Sequence, residues 1–84
     1  MSQFSIKRVI ERKEPHKEVE YFGSIFYVPK PHRFMATDKS GFIYSYAQRP
    51  EIYGEVFDYG GDRVCVGRCE FSGYWQQSLR EIKE

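Results

Sequence analysis

Cys65 and Cys69, together with His16 and His32, could supply four zinc ligands. A spacing of four puts both cysteines on one face of a regular strand. The histidines come from scattered segments, however, and no CxxC or HxxxH pair holds two ligands in one turn. The sequence therefore predicts buried thiols and no metal. Nucleophilic catalysis would need a base beside a nucleophile and a third group to orient that base. His32 follows the Pro29-Lys30-Pro31 link and His16 sits in a charged turn, neither in a recognisable elbow. Glu18 and Glu20 are paired carboxylates, but such charges beside lysine on a strand are usually solvated. The glycines form no GxGxxG or phosphate-binding loop. The reactive residue types thus predict no enzyme and no cofactor, and direct attention to binding.

A binding candidate lies in residues 33–50, RFMATDKSGFIYSYAQRP. Phe42, Tyr44 and Tyr46 alternate with Ile43, Ser45 and Ala47, so an extended backbone sends the two sets to opposite faces. Both faces are then partly apolar. Residues 30–49 hold Lys30, Arg33, Lys39 and Arg49 against Asp38 alone, whereas residues 51–62 hold Glu51, Glu55, Asp58 and Asp62 with no base. Rings flanked by cations suit a desolvated contact with an acidic, partly apolar patch on another protein. The predicted binding residues are Arg33, Lys39, Tyr44, Tyr46 and Arg49. The stretch KSGFIYSY is also similar to a strand of cold-shock and RNA-recognition domains, in which a basic residue and a glycine precede alternating aromatics that stack on bases. Ile43 stands at that pattern's second glycine, and a net charge of +1 supplies no strong field for nucleic acid. Single-stranded nucleic acid read through Arg33, Lys39, Tyr44 and Tyr46 is the alternative partner. A plain structural role, with the tyrosines lining a half-buried sheet, stands beside both.

The elements that would position these residues are short. Turn signals recur at EPHK (14–17), PKPH (29–32), DKSG (38–41), QRPE (48–51), YGGD (59–62) and SG (72–73), a spacing that predicts antiparallel β-structure. DKSG predicts a hairpin, with Asp38 bonding the turn backbone and Gly41 at positive φ. YGGDR is a second hairpin candidate. Between the turns, EYFGSIFYV, RFMAT, FIYSYA, GEVFDY and RVCVGRCEF read as strands, the first ended by Pro29. FSIKRVIERK is taken as a strand hairpinned through Glu14–Lys17, although Ile6, Val9 and Ile10 also match helical spacing. Near the end the period changes. Ser72 can cap a helix, and Trp75, Leu79 and Ile82 fall at i, i+4 and i+7, predicting a helix over roughly 74–83. The expected fold is α+β: an antiparallel meander of five or six strands with one C-terminal helix packed on the sheet. Tyr44 and Tyr46 would occupy the opposite face or an edge.

Eighty-four residues make one domain with a single core, residues 1–84. An aromatic share of 18% lets few residues build that core. Mean hydropathy is −0.65, and no apolar run approaches the ~18 residues of a membrane span, so no membrane partner is expected. The first residues lack an apolar stretch followed by small residues, which predicts no signal peptide and reduced thiols in a cytoplasm.

Val28-Pro29, Ala36-Thr37-Asp38 with Gly41, Arg49-Pro50-Glu51, and Trp75 with Ser78-Leu79 together resemble small uncharacterised proteins of phages and prophages in enteric bacteria. Those proteins share a valine-proline link, an A-T-D-x-x-G hairpin, a K/R-P-E step and a terminal W-x-x-S-L. The resemblance covers roughly the last two-thirds of the chain, and the first twenty residues depart from it. It implies a setting rather than a chemistry: small phage products often bind and redirect a host protein. The expected function is therefore a non-enzymatic protein-binding module, a modulator or inhibitor of a host enzyme or defence complex in the host cytoplasm. A second copy of the chain is a further expected partner, since a two-fold contact would cover the same face.

Overall fold

Short runs of aromatic and β-branched residues, broken by glycine and proline, form strands along most of this chain. The computed structural model describes residues 3–10, 16–72 and 74–82. Among them lie nine strands: β1 (Gln3–Val9), β2 (His16–Tyr21), β3 (Ser24–Pro29), β4 (Phe34–Thr37), β5 (Phe42–Tyr46), β6 (Glu51–Tyr53), β7 (Val56–Asp58), β8 (Arg63–Ser72) and β9 (Arg80–Glu81). Five form an antiparallel sheet in the order β1-β8-β5-β4-β9, while β2–β3 and β6–β7 are separate hairpins.

Strand alternation gives the central sheet two distinct faces. On the first, Met35, Ile43, Val66 and Cys69 pack with Tyr21, Phe26 and Val28 of the β2–β3 hairpin and with Ile82. Phe26 and Val28 are fully buried, and a Cβ at Gly67 would press into the Phe26 ring. On the second face, Ala36 and Tyr46 pack with Phe57 of β7 and with Trp75. Phe57 and Trp75 meet edge to face at 5.6 Å, a favourable ring geometry.

The DKSG hairpin forms as β4–β5, with Phe34 opposite Tyr46 and Thr37 opposite Ile43. Gly41 sits at φ +95, and its missing side chain is required twice: a Cβ there would collide with the Cys69 carbonyl oxygen. Within the turn Asp38 bonds through its backbone, its C=O accepting the Gly41 N–H at 2.9 Å. Its buried carboxylate reaches across to accept the Phe57 N–H at 2.9 Å, tying β7 to the hairpin.

The α+β expectation is overturned. The structure is nearly all β, and no α-helix occurs among the described residues. The predicted C-terminal helix is instead a 3-10 turn, Trp75–Gln77, followed by β9. The three stripe residues separate: Trp75 and Leu79 serve the second-face cluster, and Ile82 the first. A helix this short is marginal on its own, whereas β4 offers unpaired backbone groups. Arg80 and Glu81 pair with Met35 and Phe34, and Ile82 N–H bonds the Arg33 carbonyl at 2.6 Å. One step earlier, Ser78 Oγ accepts from Thr37 N–H at 2.9 Å and donates to Thr37 C=O at 3.2 Å. A side chain thus stands in for the ladder where β9 has not begun. Gly73 and Lys83 lie outside the described residues.

Pairing also departs from a meander. FSIKRVIERK does contain a strand, but β1 pairs with β8, not with the strand that follows it. Of the Glu14–Lys17 turn expected there, Glu14 and Pro15 lie outside the described residues, while His16 and Lys17 already belong to β2. EYFGSIFYV is two strands rather than one: Phe22 and Gly23 both take positive φ, 51 and 82, which is the backbone of a tight two-residue hairpin. YGGDR does not close a hairpin. It links β7, which pairs with β6, to β8, which pairs with β5 and β1.

Candidate functional site

The five predicted binding residues do not come together. Arg33 precedes β4 and Lys39 sits in the turn beyond it, so they occupy opposite ends of the hairpin, about 20 Å apart at strand spacing. Tyr46 is fully buried, its hydroxyl donating to the Phe57 carbonyl at 3.3 Å. Burial pushes its pKa upward. Arg49 lies over the Phe34 ring at 5.9 Å. Lys39 forms an ion pair with Glu55 at 2.7 Å, so the acidic segment that follows partly neutralises the basic one. Tyr44 alone stays at the surface of the sheet, half-buried.

Around Tyr44 the structure assembles a different set. The β6–β7 hairpin and the Trp75 turn cover the β4 side of the second face. Across β5, β8 and β1 that face carries Tyr44, Phe42, Cys65, Arg63, Arg68 and Arg8. The Arg63 guanidinium lies 4.6 Å from the Tyr44 ring centroid, and that of Arg68 lies 5.1 Å from Phe42. Each is within cation–π range. Phe42 keeps 39% of its surface exposed, a large share for a phenylalanine. Arg8 stands directly opposite Arg68 in the β1–β8 ladder. Like charges so placed repel, and among the described residues neither guanidinium has a carboxylate within ion-pair distance. Arg8, Phe42, Cys65 and Arg68 line a shallow depression of about 340 Å³.

A bulge builds this arrangement. Ile43 pairs with Gly67 but Tyr44 with Cys65, so Val66 is an extra residue on β8. Arg63 and Arg68, five apart, would point to opposite faces of a regular strand, and the bulge returns both to the second face. It has the reverse effect on the cysteines. Cys65 stands beside Tyr44 on the second face, whereas Cys69 is buried in the first-face cluster. The expectation that the two share a face is therefore corrected. Both are thiols rather than a disulfide, and burial pushes the Cys69 pKa up. Among the described residues no group of three or more His, Cys, Asp or Glu side chains could hold a metal ion.

His32 closes the turn at 29–32, its N–H bonding the Pro29 carbonyl at 2.9 Å, and its ring is buried. Its Nδ1 lies 2.7 Å from Ser45 Oγ, and burial lowers its pKa. Among the described residues no helix is long and apolar enough to cross a membrane.

Sequence reasoning missed Phe42, Arg8, Arg63 and Arg68 as one group. The available signal was Gly67, because an isolated glycine inside a strand pattern marks a bulge or a close approach. No protein-family model matches the chain, and comparison with curated proteins and with solved structures yields no match.

Proposed function

We propose that this protein is a non-enzymatic binding module, and that the β1–β8–β5 face engages an acidic, partly apolar surface of another protein. The observation that carries the reading is the Arg8–Arg68 cross-strand pair beside an exposed Phe42. Two arginines directly opposite each other, with no carboxylate at ion-pair distance among the described residues, cost the free fold stability, and an anionic partner would relieve that cost. Arginine stacked on an aromatic ring is also the composition of interface anchors, which combine area with a charged, geometrically fixed head. The resemblance to phage products supplies the proposed setting, a host protein met in the host cytoplasm.

Single-stranded nucleic acid is the second reading, favoured by the same cations and rings. It is the weaker one on three observations. Tyr46 is in the core, and the two remaining rings already carry guanidinium groups. The net charge of +1 adds no long-range attraction to phosphate.

A fluorescent single-stranded oligonucleotide titrated at 50 and 200 mM salt separates the readings. Protein-directed binding predicts no saturable oligonucleotide signal at either salt. A Kd that is micromolar at low salt and weakens by tenfold or more at high salt would transfer the face to nucleic acid.

A further inference from the structure

On the other side of the molecule, β2 and β9 face each other across a cleft of about 550 Å³. They are tied at one end, where Tyr21 Oη donates to the Ser78 carbonyl at 2.9 Å and the Arg80 guanidinium lies 4.6 Å from the Phe22 ring. The cleft floor is apolar and sealed by Met35, Tyr21 and Ile82. Among the described residues each wall is a strand paired on one side: β2 with β3 and β9 with β4.

The pairing fixes which backbone groups point into the cleft. In an antiparallel ladder, residues alternate between bonding the partner strand and pointing away from it. Tyr21 and Ser24 flank a two-residue turn and so bond each other, which makes Val19–Phe26 and Lys17–Val28 the next bonded pairs. The N–H and C=O groups of Glu18 and Glu20 therefore point outward. On β9, Ile82 N–H bonds Arg33, so Glu81 is the residue whose backbone points outward. The open backbone groups on both walls belong to glutamates.

We infer that this cleft accepts an extended, basic segment of a partner protein as an added strand on β2. The backbone geometry specifies a strand, because only extended chain can bond alternate residues along an open edge. The glutamates specify its charge, since lysine or arginine opposite Glu18 and Glu20 forms favourable cross-strand pairs. A second copy is a poor occupant for the same reason. Two-fold pairing of β2 centred on Glu18 or Glu20 sets that glutamate against itself, and centring on Val19 sets Glu18 against Glu20. Lys17 and Arg80 also line the cleft, so its three glutamates leave a net charge of only −1, and it is the exposed Glu18 and Glu20 on β2 that set the local preference. This site is separate from the arginine face and does not depend on it.

The test uses the full chain and two blocked nine-residue peptides, one alternating valine with lysine and one alternating valine with glutamate. Fluorescence anisotropy should show saturable binding of the lysine peptide and at least ~10-fold weaker binding of the glutamate peptide. Glu20→Pro removes an outward N–H without touching the β2–β3 ladder, a position where an edge strand tolerates proline, and should weaken the lysine peptide about tenfold or more. Should Glu20→Pro fail to fold, Glu18→Lys/Glu20→Lys provides the same reading by reversing the preference between peptides. Equal binding of both peptides overturns the proposal. So does undiminished binding in the folded variants, or a wild-type dimer in sedimentation that Glu20→Pro dissolves.

Discussion

Replacing Ser78 with alanine separates the observed C-terminal segment from the helix its apolar spacing suggests, because the two predict opposite signs. Ser78 and Thr37 are both fully buried. The serine hydroxyl satisfies both backbone groups of Thr37, at 2.9 and 3.2 Å. Alanine leaves a buried N–H and a buried C=O without partners, at ~1–3 kcal/mol for the donor and somewhat less for the carbonyl. A loss of ~2–4 kcal/mol is expected from a total of roughly 4–13 kcal/mol for a chain of this length. At 4–8 °C per kcal/mol, the melting temperature should fall by at least about 8 °C. In a helix over 74–83, the same change would replace serine with the best helix former and raise stability by a few tenths of a kcal/mol. Thermal melts by far-UV circular dichroism suffice, with exposed Gln77→Ala as control. A Ser78→Ala melting temperature equal to or above wild type would refute the account of this segment.

Three further outcomes follow from the same geometry. Tyr46→Ala should cost ~3–5 kcal/mol and threaten folding, while half-buried Tyr44→Ala should cost about 1 kcal/mol and stay folded, as urea denaturation would measure. Gly41→Ala meets both a positive φ and the Cys69 carbonyl, and should lose at least ~2 kcal/mol in the same assay. Burial depresses the His32 pKa, opposed by nearby Asp62 and reinforced by Lys17 and His16, so the unfolded chain takes up the proton first as pH falls below 6.5. Melting temperature should therefore drop from pH 7 towards pH 5.5, and His32→Gln should flatten that slope.

Local signals were legible where one turn decides one hairpin. Asp38–Gly41 and the alternation of FIYSY gave β4–β5 with its glycine at positive φ. Legibility failed where distant segments compete for the same backbone. No local signal says that β1 pairs with β8, or that Arg80 and Glu81 complete the edge of β4, because those choices depend on which edges remain open after the sheet forms. Phe22-Gly23 carries the backbone of a tight turn without the usual asparagine or aspartate, so two strands read as one. The site suffered most from the Val66 bulge. One extra residue moved Arg63 and Arg68 to a common face and parted the cysteines, whereas strict period-two counting predicts the reverse. Burial of Tyr46 then removed one of the two predicted contact rings, and Phe42, two alternations earlier, holds the exposed position.

The central claim, that the arginine–aromatic face is the protein-binding surface, is tested most directly by quantitative capture from a lysate of an enteric bacterium, the setting proposed above. Wild type is compared with Phe42→Ala/Arg68→Glu and with Arg49→Glu, all three matched for melting temperature. The account predicts that proteins held specifically by wild type fall at least ~10-fold in the double variant, since two interface anchors of ~1–2 kcal/mol or more are lost, and remain on Arg49→Glu. Equal recovery on wild type and the double variant, with loss on Arg49→Glu, would contradict it.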